Sequence, residues 1–207
     1  MQQDLRKRPS IVAPSIVTVP DAPTDPDAFL RWAAEQPRET GRYELSRGVV
    51  TRTMINVTRN HNRICTDIIL ELGRLLDQGR YDMGSADFAT RTPFGNRGPD
   101  VFVCTTIADP KALSTDKPIF LAEVLSPSSE GIDFIEKRDE YTAIATLQTY
   151  LICSQDEPRA WVFARNADGT WPARPQMLEG RESQITLGGL EVELSMAAIY
   201  RGIADPA

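Results

Sequence analysis

The sequence predicts an α/β fold with one mixed central β-sheet flanked by helices. Three observations predict it. Residues 59–77 repeat Ile64, Ile68, Ile69, Leu72, Leu75 and Leu76 at helical spacing. Short apolar runs of β type follow, over about 86–92, 100–105, 119–125, 149–154 and 161–165. A second helical stretch, about 131–144, separates two of those runs, an alternation expected of α/β chains.

The elements follow in chain order. Residues 1–24 hold Pro9, Pro14, Pro20 and Pro23 without a helical period, which predicts a flexible N-terminal arm ahead of a single domain over 25–207. Asp25-Pro26-Asp27 opens a helix with Phe29, Leu30 and Trp32-Ala33 on its apolar side, ending before Pro37. Tyr43-Glu44-Leu45 and 49–53 flank Ser46-Arg47-Gly48 as a hairpin, Gly48 supplying the turn. The long helix ends before Gly79. In the second helix Phe134, Ile135, Tyr141 and Ile144 are core candidates. Asn166-Ala167-Asp168-Gly169 predicts a hairpin turn, 185–187 and 191–194 predict strands, and Ser195 caps a short last helix carrying Met196, Ile199 and Tyr200.

With 207 residues the chain can bury a sizeable core. No apolar run reaches the roughly 18 residues of a membrane helix, and no apolar stretch follows the basic N-terminus, so neither a membrane span nor a signal peptide is expected. Cys65, Cys104 and Cys153 are odd in number, far apart and in apolar contexts. They read as buried free thiols of a reducing cytoplasm, not as disulfides or a zinc site. The net charge of -6 argues against charge-driven, non-specific nucleic-acid binding but not against a nuclease, whose site carboxylates are offset by cations. Arg47, Arg52, Arg59, Arg63 and Arg74 read first as solvated surface residues.

The chemistry concentrates in the middle of the chain. Asp100, in Gly98-Pro99-Asp100-Val101, stands at the start of an apolar run; it reads either as a rigidly held metal ligand or as the end of a turn. Glu123 interrupts 119–125, which otherwise reads as a buried strand, and a lone buried carboxylate costs several kcal/mol unless paired or bound to metal. Asp133 and Lys137 read as a surface i,i+4 ion pair or, with Lys137 turned to the sheet, as a cation at the site. His61, the only histidine, is a general base, a phosphate contact or a structural side chain. Glu44 is a third carboxylate or a solvent-facing strand residue.

Arg42-Tyr43-Glu44-Leu45 with Gly48-Val49-Val50, His61 opening a helix, Gly98-Pro99-Asp100-Val101, Glu123-Val124-Leu125-Ser126-Pro127-Ser128-Ser129, and the spaced trio Asp133, Lys137 and Tyr141 together resemble the Uma-type restriction endonuclease family of the PD-(D/E)XK nuclease superfamily. The resemblance spans about residues 25 to 203. It implies a restriction-endonuclease-like fold and a Mg²⁺ or Mn²⁺ ion held by Asp100, Glu123 and the carbonyl of Val124. It also implies accessory roles for Glu44 and His61. The superfamily motif asks for Glu-x-Lys, whereas this chain has Glu123-Val124-Leu125, so Lys137 is the expected substitute from the following helix. A second departure is Leu147-Gln148-Thr149-Tyr150, where the family usually carries an acidic residue and a tryptophan.

The expected function is therefore metal-dependent endonucleolytic hydrolysis of DNA, by a cytoplasmic protein that forms a homodimer because two strands need two sites. The rival expectations are a catalytically inactive nuclease-fold module that binds nucleic acid or a protein partner, and a hydrolase of a small phosphorylated substrate.

Overall fold

The structure is a computed structural model that describes residues 17–53, 57–125 and 132–203. In chain order the elements are β1 (Val17–Thr18), α1 (Pro26–Glu35), β2 (Arg42–Ser46), β3 (Val49–Thr53), α2 (Arg59–Leu75), β4 (Tyr81–Ser85), β5 (Ala89–Thr92), β6 (Gly95–Arg97), β7 (Val101–Thr105), β8 (Ser114–Thr115), β9 (Pro118–Val124), a π-helical segment (Ile132–Lys137) running into α3 (Arg138–Thr142), β10 (Thr149–Cys153), β11 (Arg159–Ala164), β12 (Gln176–Glu179), β13 (Gln184–Leu187), β14 (Val192–Ser195) and α4 (Met196–Ile199).

The expected mixed central sheet has the order β12-β11-β10-β9-β7-β4. β9 and β10 run parallel, while the other neighbours are antiparallel. A parallel pair needs a crossover, and the π segment with α3 lies on that crossover. Both faces of the sheet are covered, which explains the nearly unbroken apolar runs. On one face Val101, Val103, Phe120, Ala122 and Val124 pack with Ile64, Ile68 and Leu72 of α2. On the other, Phe102, Leu121, Tyr150, Ile152 and Phe163 pack with Tyr141, Ile144 and Leu147.

A second six-stranded sheet, β1-β3-β2-β6-β5-β8, carries α1 and its own small core of Phe29, Leu45 and Val50. The expected hairpin is its centre: β2 and β3 pair across Arg47 and Gly48, whose φ values of 50° and 77° are those of a type I′ turn. β6 approaches β2 so closely that only glycine serves at Gly95. Its φ is +150°, and a Cβ there would stand 2.1 Å from the carbonyl oxygen of Leu45.

Three expectations need correction. The strand expected over 86–92 is only β5, Ala89–Thr92, and it lies in the second sheet, while β4, Tyr81–Ser85, which the sequence reading did not mark, forms an edge of the central sheet before the chain turns. The helix expected over 131–144 is a π-helical segment followed by a short α3, so its side chains are not spaced as a regular helix would place them. Ser195 does stand at the N-cap of α4, but its side chain makes no capping hydrogen bond. Residues 1–16 and the Ser126-Pro127-Ser128-Ser129 turn lie outside the described residues, as does the side chain of Asp133. Val17 and Thr18, placed in the arm by the sequence, pair with Arg52 and Thr51 of β3. No helix among the described residues is long and apolar enough to cross a membrane.

Candidate active site

The site is built where β7 begins and β9 ends. These strands are antiparallel with Val101 opposite Ala122, so one step further Asp100 and Glu123 face each other across the ladder. Both are buried, at 7% and 3% exposure. The Val124 N–H donates to Asp100 Oδ2 at 2.9 Å, which ties the carboxylate to the neighbouring strand.

Glu123 faces the crossover. Its Oε1 lies 2.9 Å from the Lys137 ammonium and accepts a 2.9 Å hydrogen bond from the Tyr141 hydroxyl. Lys137 ends the π-helical segment and Tyr141 lies in α3, four residues on, so both reach the same carboxylate. Leu125, standing where the superfamily motif has its lysine, is 9% exposed and packs with Leu121 and Tyr141 in the core. The site's ammonium thus comes from the crossover. Burial and the charge of Glu123 push the Tyr141 hydroxyl well above its ordinary range, which keeps it a proton-bearing donor.

A second ionic cluster lies behind the first. Arg97, at the end of β6, makes two hydrogen bonds to Glu140 of α3, at 2.8 and 2.7 Å, and a third to Glu44 Oε2 at 2.9 Å. Glu44 Oε1 accepts from the Gly98 N–H at 3.0 Å, and Ser46 donates to Glu140. Glu44 is therefore not the solvent-facing strand residue of the simpler reading; its side chain is 14% exposed. Burial alone would raise its pKa, but the charges of Lys137 and Arg97 and the Gly98 N–H together hold it below the ordinary value. Asp100 behaves the same way. Burial works to raise it, and His61, Lys137 and the Val124 N–H outweigh that and lower it.

His61 sits in the first turn of α2, where the Thr58 side chain caps its N–H at 3.1 Å. Thr58 is itself fixed by donating to the buried Gln155 at 2.6 Å. This aims the His61 Nε2 at Asp100 Oδ2, 3.0 Å away. The other ring nitrogen, Nδ1, is 3.7 Å from Cys65 Sγ, one helical turn on. Among the described residues, His61, Cys65 and Asp100 each offer a metal-ligating atom within 4.8 Å of the others. The sequence reading set Cys65 aside as a buried thiol; it is only partly buried, unlike Cys104 and Cys153, and all three are free.

The structure thus gathers the candidates it describes: Asp100, Glu123 and Val124 at the strand ends, Lys137 against Glu123, His61 against Asp100, and Glu44 on Arg97 and Gly98. It adds Tyr141, Arg97, Glu140 and Cys65. Tyr141 and Cys65 had a faint signal in their spacing of four from Lys137 and His61. Arg97 and Glu140 had none, being 43 residues apart in sequence.

Acidic and basic side chains crowd together here. Among the described residues, Glu44, Asp100, Glu123 and Glu140 gather against two buried cations, Arg97 and Lys137; besides these there are His61 and the half-exposed Arg42, 4.0 Å from Asp100 Oδ1.

Comparison with known proteins bears on the family and the fold. Residues 26–197 match the family described as "Uma2: Putative restriction endonuclease". An uncharacterized protein of Synechocystis sp. (strain ATCC 27184 / PCC 6803 / Kazusa) is 27% identical over 191 residues, covering 89% of this chain and 97% of its own. The crystal structure of a "putative nuclease" from Anabaena variabilis ATCC 29413 superposes with a TM-score of 0.67 at 12% identity, covering 84% of this chain and 98% of that one. That likeness is one of fold, and the fold is restriction-endonuclease-like.

Proposed function

The chain belongs to the Uma2 family of restriction-endonuclease-like proteins, and on that premise we propose that it is a metal-dependent endonuclease hydrolysing DNA phosphodiester bonds. The observation that carries the proposal is the pair of buried carboxylates, Asp100 and Glu123, opposed at adjoining strand ends with Lys137 against one of them. With the Val124 carbonyl they form a hard oxygen donor set suited to Mg²⁺ or Mn²⁺. Such an ion, when bound, supplies Lewis acidity to the scissile phosphate and to the attacking water.

The protein's own groups do the rest. The Lys137 ammonium holds positive charge beside the carboxylate pair, where it offsets charge gathering on the phosphate oxygens and orients the water. Tyr141 fixes the Glu123 carboxylate. His61 steadies Asp100 through Nε2. Glu44, kept ionised by Lys137, Arg97 and Gly98, adds to the negative potential that attracts the cation.

The test is cleavage of plasmid DNA with Mg²⁺, Mn²⁺ or EDTA. The wild type is expected to cut only with metal, and Lys137→Ala to lose about 10²–10³ in rate, the usual size of one such electrostatic contact. Full activity in Lys137→Ala would strip Lys137 of its role. Absence of cutting with every metal would overturn the enzyme reading in favour of a non-catalytic module of the same fold.

Cutting both strands of a duplex needs two sites, which supports a homodimer. Light scattering is expected to give twice the 23.0 kDa of one chain, and a clean monomer would reject that assembly. The three free thiols support a cytoplasmic setting.

A further inference from the structure

The Asp100 carboxylate faces two different donor sets. On the sheet side it stands opposite Glu123, whose only metal-ligating atoms are oxygens. On the α2 side it meets an imidazole and a thiol, His61 and Cys65, set one helical turn apart. We infer that His61, Cys65 and Asp100 form a site for a borderline transition cation of the zinc class, and that such an ion, by engaging Asp100, opposes the hard-cation chemistry of the nuclease site.

The geometry and the donor types both support this. With ordinary zinc bond lengths, the ligand atoms of a tetrahedral site stand roughly 3.3–3.6 Å apart. Here one donor from each residue falls within 4.8 Å of the other two; the 3.7 Å contact to Cys65 Sγ runs through His61 Nδ1 and the 3.0 Å contact to Asp100 Oδ2 through Nε2, so a shared ion takes only one of these ring nitrogens. Closing the set around one ion therefore takes a turn of the imidazole off one of its two contacts and side-chain shifts of about 1–1.5 Å, leaving the fourth position to solvent. One cysteine, one imidazole and one carboxylate select zinc-like ions over Mg²⁺, because the thiol is a soft donor that hard cations decline. Thr58 and Gln155 fix the start of α2, the helix that carries both His61 and Cys65. The ion binds by displacing the Cys65 thiol proton to solvent and forming the metal–sulfur bond in its place.

The binding itself is independent of the nuclease reading; only the antagonism rests on it. The probe for binding is Co²⁺ added to the full chain, read by the thiolate-to-cobalt charge-transfer absorption. One Co²⁺ per chain is expected with that band present. Cys65→Ser and Cys65→Ala are expected to lose it, and Cys153→Ser to keep it. Absence of the band in wild type, or its persistence in folded Cys65→Ser and Cys65→Ala, overturns the site. For the antagonism, equimolar Zn²⁺ is expected to slow Mg²⁺-supported plasmid cleavage by about tenfold or more in wild type. The slowing should shrink to under about twofold in Cys65→Ser, each protein being compared with its own zinc-free rate. Equal inhibition in both would overturn the antagonism. A cobalt band in a chain that cuts no DNA would sink the nuclease reading while leaving the metal site standing.

Discussion

Asp100→Asn is expected to abolish metal-dependent DNA cleavage, lowering the rate by about 10³-fold or more, while leaving the fold intact. The loss corresponds to about 4 kcal/mol at the transition state, the scale of removing a metal's charged ligand. Asparagine keeps an oxygen to accept the 2.9 Å bond from Val124 N–H and the contact from His61 Nε2. Its amide nitrogen then takes the place of Oδ1, facing Arg42 at 4.0 Å in the parent. What it loses is the charge. Cleavage rates and isothermal titration with Mn²⁺, beside a thermal denaturation curve, separate these effects. Cleavage within tenfold of the wild type would show that Asp100 is not a ligand on which the reaction depends.

Arg97→Ala is expected to act on stability first. The guanidinium is 5% exposed and makes both hydrogen bonds to Glu140, which is 1% exposed, and one to Glu44. Removing it leaves two carboxylates in a poorly solvated place without their cation, and breaking a buried pair in this way costs about 3–5 kcal/mol. Urea denaturation measures it. The double variant Arg97→Met with Glu140→Leu is expected to be less destabilised than Arg97→Ala alone, because it removes the stranded Glu140 charge as well. A loss under about 1 kcal/mol in Arg97→Ala would show that water reaches the cluster. The same cluster joins the second sheet to α3, the helix that follows Lys137 and contains Tyr141. Loosening it is therefore expected to lower cleavage as well, through the position of those two side chains.

The two predictions draw on residues that were unequally legible. Asp100 was visible because it opens an apolar run, and Glu123 because it breaks one. Lys137 was visible through the resemblance and through the leucine at 125. Nothing in the sequence singled out Arg97 beside Gly98-Pro99, or Glu140 in the helix. The place of β5 in a second sheet was hidden for a related reason. β6 and β8 are three and two residues long, too short to show a period, and β5 joins the second sheet only by pairing with them.

By itself the sequence determined the elements whose periodicity is long or whose turn chemistry is local: α2, the β2–β3 hairpin, β7, β9 and β10, and the carboxylates those strands carry. Their signals are contained within a few consecutive residues, so local sterics and burial are enough to read them. Only the tertiary structure decided which charges meet. The Arg97–Glu140 pair, the π-helical path that brings Lys137 onto Glu123, and the approach of Cys65 to Asp100 depend on chain closure between residues 14 to 43 apart. The energy of such contacts comes from shared burial, and no spacing in the sequence records it.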